Sequence, residues 1–208
     1  MSNTSGQSPR RIGLIVPSSN TTIETELPEM LARRGELEGE RYTFHSSRAV
    51  LHEVTAESLE RMVGQLDRCV NELADANTDA VIYACLVALM AQGAGAHVEA
   101  ERTISQILDG REQDAVVSSS AGALVRALRA LGLERVAIIT PYLPPLTEAV
   151  AQYLEAEGFV ITERVSLSVA NNVEVGRLDE QQLLEHALKL DLSGSDGLII
   201  SACVQMPS

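Results

Sequence analysis

The chain contains the segment VIYACLV at residues 81–87 and the similar segment IISACVQ at residues 199–205. Both are short apolar runs in which a cysteine follows the apolar stretch, Cys85 in the first and Cys203 in the second. Runs of this length and composition predict buried strands of a parallel sheet. Because ligands bind at the carboxyl ends of the strands in α/β proteins, the two thiols predict one shared site.

The rest of the chain has the alternating pattern of a parallel α/β protein, in which short β-branched runs are separated by longer amphipathic segments. Strands are predicted near residues 12–16, 43–48, 80–84, 115–118, 136–140, 160–166 and 197–202. Helices are predicted near residues 22–33, 56–76, 97–108, 121–131, 146–157 and 179–190. The segment 56–76 has the clearest helical periodicity of apolar residues.

The sequence also repeats itself, since IGLIVP at residues 12–17 resembles VAIITP at residues 136–141 and a cysteine run follows each. We therefore expect two similar lobes with a pseudo-twofold relationship. Each would hold a short parallel sheet flanked by helices, in the flavodoxin-like manner, with the active site in the cleft between them.

The predicted domains are a disordered tail at residues 1–11, a first α/β lobe at 12–120 and a second α/β lobe at 121–208. After its cysteine run the first repeat continues through a further helix, strand and helix, whereas the second ends at Ser208. The repeat therefore predicts a second lobe that is truncated at its C-terminus.

Composition narrows the class of partner. With 16 Lys+Arg against 29 Asp+Glu, the formal net charge is −13, which disfavours binding to a nucleic-acid backbone. The three cysteines are an odd number without CxxC spacing, which favours a reducing compartment over a disulfide framework. The N-terminus has no apolar signal region and no run approaches the roughly 20 apolar residues of a membrane helix, so we expect a soluble cytoplasmic protein.

Cys85 is the first candidate for chemistry. A thiol acts as a nucleophile only as the thiolate, and its pKa falls at a helix N-terminus or near cations. Leu86 and Val87 are predicted to begin a short helix, so their backbone N–H groups would point toward the sulfur and a bound carboxylate. The alternative is a buried structural cysteine, which is the interpretation we favour for Cys69 on the apolar face of a helix.

Polar residues follow three of the predicted strands. Asn20, in the turn that begins at Pro17, offers an amide for a substrate carboxylate, and the same turn can instead cap the next helix. Tyr142 can donate a phenolic hydrogen bond or simply pack on a loop, and Asn172 can be a turn former without a function. The four histidines lack metal-ligand spacing and no dinucleotide fingerprint is present, so neither a metal nor a nucleotide cofactor is implied.

With these residues in view, the chain resembles the maleate cis–trans isomerases of the aspartate/glutamate racemase superfamily. The matching segments are GLIVPSSNTT at residues 13–22, ACLVA at 84–88, TPY at 140–142, NVEVGRLD at 172–179 and SACVQ at 201–205. The matches span nearly the whole chain, and only the C-terminal segment of the pattern is missing.

The resemblance implies a cofactor-free enzyme that converts maleate into fumarate through a covalent cysteine adduct at C2 and rotation about C2–C3. It implies Cys85 as the nucleophile and Cys203 as a second thiol acting as acid and base. Carboxylate-binding roles are implied for three polar residues, Asn20, Tyr142 and Asn172. Pro17 and Val87 would shape the pocket. Family members are usually dimers or higher homo-oligomers.

Two other functions fit the same residues. A two-cysteine amino-acid or hydantoin racemase, or a malonate-type decarboxylase, would keep both thiols and change the reaction. A non-catalytic carboxylate-binding protein would keep the scaffold without the chemistry.

Overall fold

A computed structural model describes residues 8–200, and within that range the chain forms two parallel β-sheets flanked by helices. The first sheet has the strand order β2-β1-β3-β4 and the second the order β6-β5-β7. Neighbouring strands are parallel throughout both sheets. The predicted α/β class, with two separate parallel sheets, is confirmed.

The strands are β1 (Arg10–Pro17), β2 (Tyr42–Ala49), β3 (Ala80–Tyr83), β4 (Val116–Ser119), β5 (Arg135–Thr140), β6 (Val160–Ser166) and β7 (Gly197–Ile200). The helices are α1 (Ile23–Glu38), α2 (Ala56–Val63), α3 (Leu66–Asp75), α4 (Leu86–Met90), α5 (Ala96–Asp109), α6 (Ser120–Ala130), α7 (Pro144–Ala156), α8 (Asn172–Val175) and α9 (Glu180–Leu188). Most predicted elements are present with ends shifted by one or two residues. Strand β1 begins at Arg10, inside the segment predicted as a tail, and the division into lobes near residue 120 stays a prediction.

The predicted helix at residues 56–76 is wrong as a single element, because it divides into α2 and α3 at Gly64 and Gln65. The Gln65 side chain explains the break. Its Oε1 accepts a hydrogen bond from the backbone N–H of Val50 at 2.9 Å, and its Nε2 donates to the Arg61 carbonyl at 3.2 Å. These contacts hold the chain in a non-helical turn beside the end of β2.

The first helix is longer than the predicted 22–33. It continues to Glu38 and ends where Gly39 adopts a left-handed conformation with φ of 74°. Gly39 donates its N–H to the Gly35 carbonyl at 2.8 Å, a helix ending that glycine makes without a steric penalty.

The short helix α4 lies at the centre of the molecule. All five of its residues are buried, and they belong to a cluster of apolar side chains that includes residues of α2, α5, α6 and α7. The same cluster contains buried residues of β3 in the first sheet and of β5 in the second. This one core therefore joins the elements of both sheets. The position of α4 therefore depends on packing from both parts of the chain.

A buried polar junction accompanies this core. The ring Nδ1 of His97, on α5, makes a hydrogen bond with the hydroxyl of Tyr153, on α7. Glu157 lies 3.8 Å from the same ring nitrogen and pairs with Arg129 at 2.9 Å. Burial raises the pKa of Tyr153 to about 12, although the backbone N–H of His97, which donates to the hydroxyl at 3.4 Å, opposes the rise. The neutral phenol is therefore part of what holds α5 against α7.

This pKa predicts a loss of stability at high pH. Between pH 10 and 12 the unfolded chain gives up the Tyr153 proton while the folded chain keeps it, so the free energy of unfolding falls as the pH rises. At pH 11 this one group accounts for about 1 kcal/mol. In Tyr153→Phe that contribution is absent, so the variant loses less stability than the wild type between pH 9 and pH 11. Urea unfolding at both pH values measures the difference, and equal losses in the two proteins would contradict the assignment.

Candidate active site

Cys85 lies immediately after β3 and is 1% exposed. It occupies the position before the first residue of α4, in an extended conformation with φ of −144° and ψ of 94°. The backbone N–H of Ala84 donates to the Ile15 carbonyl at 2.8 Å, which continues the β1–β3 ladder to the residue before the thiol. Cys85 is therefore held beside the carboxyl end of β1.

Leu86 and Val87 form the first turn of α4, as predicted, and both are buried. Backbone N–H groups in a first helical turn have no acceptor four residues earlier in the same helix. The turn thus brings amide donors to the segment that carries the thiol.

The turn after β1 carries Asn20, whose side chain is fully buried. Pro17 is the last residue of β1, and its carbonyl accepts the Asn20 N–H at 2.9 Å to close the turn. The Asn20 Oδ1 accepts the N–H of Ile23 at 3.3 Å, at the start of α1. Asn20 therefore caps the helix with its oxygen, and its Nδ2 is the part of the amide that supplies donors. The two interpretations of this residue, cap and carboxylate ligand, are compatible.

Asn172 follows β6 of the second sheet, and its side chain contacts this same turn. It begins α8, and its Nδ2 donates to the Ser19 Oγ at 2.7 Å. Ser19 in turn donates to the Leu51 carbonyl at 2.7 Å. Nearby, Asn171 forms an antiparallel bridge with Glu53. The structure thus brings together the turn after β1, the segment after β2 and the start of α8. The residues at the start of α8 are turn formers by sequence.

Tyr142 follows β5 and is buried in the same apolar cluster as Cys85 and the first residues of α4. Its carbonyl accepts the N–H of Ser168 at 3.1 Å and the hydroxyl of Ser166. These bonds attach the residue to the end of β6, so Tyr142 lies at the carboxyl edge of the second sheet.

Cys203 lies outside the described residues, so its relation to Cys85 stays a prediction. Strand β7 runs to Ile200 beside Ile139 of β5. In residues 8–200 no group of three or more His, Cys, Asp or Glu side chains has the geometry of a metal site.

Two residues at this site were missed by sequence reasoning. Ser19 lies in a polar turn with no other signal in the sequence, yet its Oγ accepts a hydrogen bond from the Asn172 amide. Arg48, near the end of β2, donates from its guanidinium to the carbonyls of Ser18 and Asn20. The signal for Arg48 was its place at a strand's carboxyl end, where β2 is adjacent to β1.

Cys69 differs from Cys85 in its surroundings. It is fully buried on α3, and burial raises the pKa of its thiol above the ordinary value, although a hydrogen bond with Ser47 and the charge of Arg68 act in the other direction. A raised pKa lowers the thiolate fraction at neutral pH. This agrees with the structural role predicted for Cys69.

The arylmalonate decarboxylase (Amdase) family model matches residues 12–206. A maleate isomerase of Nocardia farcinica is 51% identical over 199 residues, which are 96% of this chain and 78% of that protein.

Solved structures agree with this match. A cysteine-to-serine variant of the Nocardia farcinica maleate cis-trans isomerase, with a covalently bound succinylcysteine intermediate, superimposes with a TM-score of 0.93 at 49% identity. That superposition covers 97% of this chain and 81% of the other. A cysteine-to-alanine variant of the maleate isomerase from Pseudomonas putida S16, solved with maleate, gives 0.94 at 41% identity and covers 97% and 80%.

The contrast between the two described thiols predicts selective alkylation. At neutral pH iodoacetamide should modify Cys85 at least about tenfold faster than Cys69, because burial raises the pKa of Cys69 while Cys85 adjoins a helix start. Peptide mass spectrometry of the native protein over time measures both rates. Cys69→Ser should leave the rate at Cys85 unchanged. Equal, slow modification of the two residues would contradict an activated Cys85.

Proposed function

The chain belongs to the arylmalonate decarboxylase (Amdase) family and, within it, to the maleate isomerases, and from this we propose that it converts maleate into fumarate. The observation that carries the proposal is the placement of Cys85 at the carboxyl end of β3, beside the turn that holds Asn20. A relative at 49% identity holds a succinylcysteine intermediate, which is the adduct that a cysteine forms with maleate.

We propose that the two carboxylates of maleate are bound by neutral donors. Asn20 offers the Nδ2 of an amide whose oxygen is engaged by α1. Tyr142 supplies a phenol and Asn172 an amide from the other sheet's side. Pro17 and Val87 would form apolar walls beside the alkene. Donors from both parts of the chain would hold the two ends of the substrate.

The first step is addition. The Cys85 thiolate forms an Sγ–C2 bond while the π electrons of C2=C3 move toward C3 and its carboxylate, which becomes an enediolate. The N–H groups of Leu86 and Val87, with Asn20, stabilise the developing charge. An oxyanion donor of this kind is typically worth about 3–4 kcal/mol.

The second step is rotation. With C2–C3 now a single bond, the two carboxylates turn from the cis to the trans arrangement. We propose that Cys203, as a thiol, gives a proton to C3 and removes it again as the double bond forms. The Sγ–C2 electron pair then returns to Cys85, and fumarate leaves. No net oxidation, hydration or proton transfer to solvent occurs.

Incubation with maleate is the direct test. The wild type should produce fumarate, seen by proton NMR, and Cys85→Ser should lower kcat by at least about 10³-fold because the nucleophile is lost. Cys69→Ser, which removes a thiol from α3, is the matched control and should retain activity. In Cys203→Ser the serine cannot remove a proton from C3, so conversion should be slow, and once water has protonated the adduct Cys85 should carry the added mass of one maleic acid.

Other outcomes separate the competing functions. Full activity in Cys85→Ser excludes the covalent route. Solvent deuterium exchange into an amino acid, or loss of carbon dioxide from a malonate, with maleate unchanged, would instead indicate the racemase or the decarboxylase.

We also propose a homodimer that works in the cytoplasm. Within residues 8–200 no helix is long and apolar enough to cross a bilayer, and Cys69 and Cys85 do not form a disulfide with each other. The dimer rests on the family resemblance. Sedimentation at micromolar concentration should give twice the 22.4 kDa chain mass, and a monomer would contradict it.

A further inference from the structure

We propose that Arg48 is a positioning residue that sets the geometry of the substrate-binding turn through its backbone. The inference rests on the proposed function, since the turn matters only if Asn20 binds a substrate carboxylate. The Arg48 guanidinium donates to backbone carbonyls of the turn and pairs with the Glu24 carboxylate, so it acts through other groups.

Four contacts define its position. Nε and Nη2 donate to the Ser18 carbonyl at 3.3 and 3.2 Å, and Nη2 also donates to the Asn20 carbonyl at 2.6 Å. Nη1 donates to Oε2 of Glu24 at 2.6 Å. One rigid, planar group therefore joins β2, the turn after β1 and the first turn of α1.

These bonds fix the peptide planes of the turn. A peptide unit is planar, so holding the Ser18 carbonyl orients the 18–19 peptide and holding the Asn20 carbonyl orients the 20–21 peptide. The intervening peptide is fixed by the Asn20 N–H, which donates to the Pro17 carbonyl. With three consecutive planes set, the directions of the Ser19 and Asn20 side chains are set as well.

Both side chains belong to the turn that we propose binds the substrate. Ser19 is the hydrogen-bond partner of Asn172, and Asn20 is a proposed carboxylate ligand. Arg48 therefore orients Asn20 by holding its backbone carbonyl, and it orients Asn172 indirectly through Ser19.

Glu24 keeps the arginine in this role. Burial acts to raise the pKa of Glu24, but hydrogen bonds from Ser46 and Arg48 and the charge of Arg48 lower it below its ordinary value. The carboxylate is thus ionised at neutral pH and neutralises the guanidinium. Because the positive charge is already paired, Arg48 contributes orientation rather than direct binding of a dianion.

Arginine suits this task better than lysine. Its fork of N–H donors reaches two carbonyls and a carboxylate at once, whereas an ammonium is a point donor on a flexible stem. The replacement of Arg48 by Lys should therefore restore only part of the function.

The test compares Arg48→Ala, Arg48→Lys and the control Arg61→Ala in the maleate assay. Arg61 also pairs with a glutamate at 2.6 Å, but on the exposed face of α2 away from the turn. We expect kcat/KM to fall about 10- to 100-fold in Arg48→Ala, mainly through KM, because misplaced ligands lose substrate orientation. Arg48→Lys should lie between Arg48→Ala and the wild type, and Arg61→Ala should match the wild type. Guanidinium ion, added far below denaturing concentration, should raise the activity of Arg48→Ala and not that of Arg61→Ala.

A second readout does not need turnover. Maleate should protect Cys85 from iodoacetamide, and the concentration for half protection should rise about tenfold in Arg48→Ala, with the rate of alkylation in the absence of maleate unchanged. That unchanged rate separates a positioning effect from general unfolding.

The outcomes are distinct. Wild-type kinetics and protection in Arg48→Ala overturn the inference while leaving the proposed function intact. A loss of activity with an altered basal alkylation rate and no rescue by guanidinium shows a merely structural role and also overturns it. If the wild type neither converts maleate nor is protected by it, the proposed function and this inference both fail.

Discussion

The burial of α4 is the constraint on which the candidate site depends. Five residues are too few for a helix that is stable by itself, so α4 persists because apolar side chains of α2, α5, α6 and α7 surround it. Cys85 is the residue directly before α4, so the packing that fixes α4 also fixes Cys85. The proposed nucleophile has to approach one carbon of an alkene, and small misplacements of a reacting group are costly in rate. Packing from both parts of the chain is therefore a condition for the chemistry.

The proposed ligands of a dianionic substrate are neutral, in a protein with a net charge of −13. Neutral amides and a phenol have a physical advantage in this reaction. The substrate changes from a cis to a trans diacid while it is bound, and a rigid pair of cations would favour one geometry over the other. Hydrogen bonds from side chains and backbone cost less to rearrange than buried ion pairs. The Arg48 guanidinium, which bonds to the turn, is paired with the Glu24 carboxylate.

Local patterns in the sequence were sufficient to predict where the segments at the strand ends lie. The run before Cys85 and the polar turn at Asn20 are contiguous signals, and both were placed where the structure has them. The contacts that depend on distant partners were not predictable. Gln65 divides a periodic segment into two helices because it bonds to Val50, and Ser19 meets Asn172 across 153 positions of sequence. No periodicity within either segment reports such pairings.

The two parts of the chain meet through different interactions at different places. Around α4 the contact is apolar and buried, with the His97–Tyr153 hydrogen bond beside it. Near Asn20 the contact is polar and small, consisting of the Asn172–Ser19 hydrogen bond and the Asn171–Glu53 bridge. These polar contacts are few and partly buried, so they remove far less apolar surface from water than the core around α4. The fold thus holds the proposed nucleophile at the tightly packed contact, while the proposed binding groups from the two parts of the chain meet at the smaller, polar one.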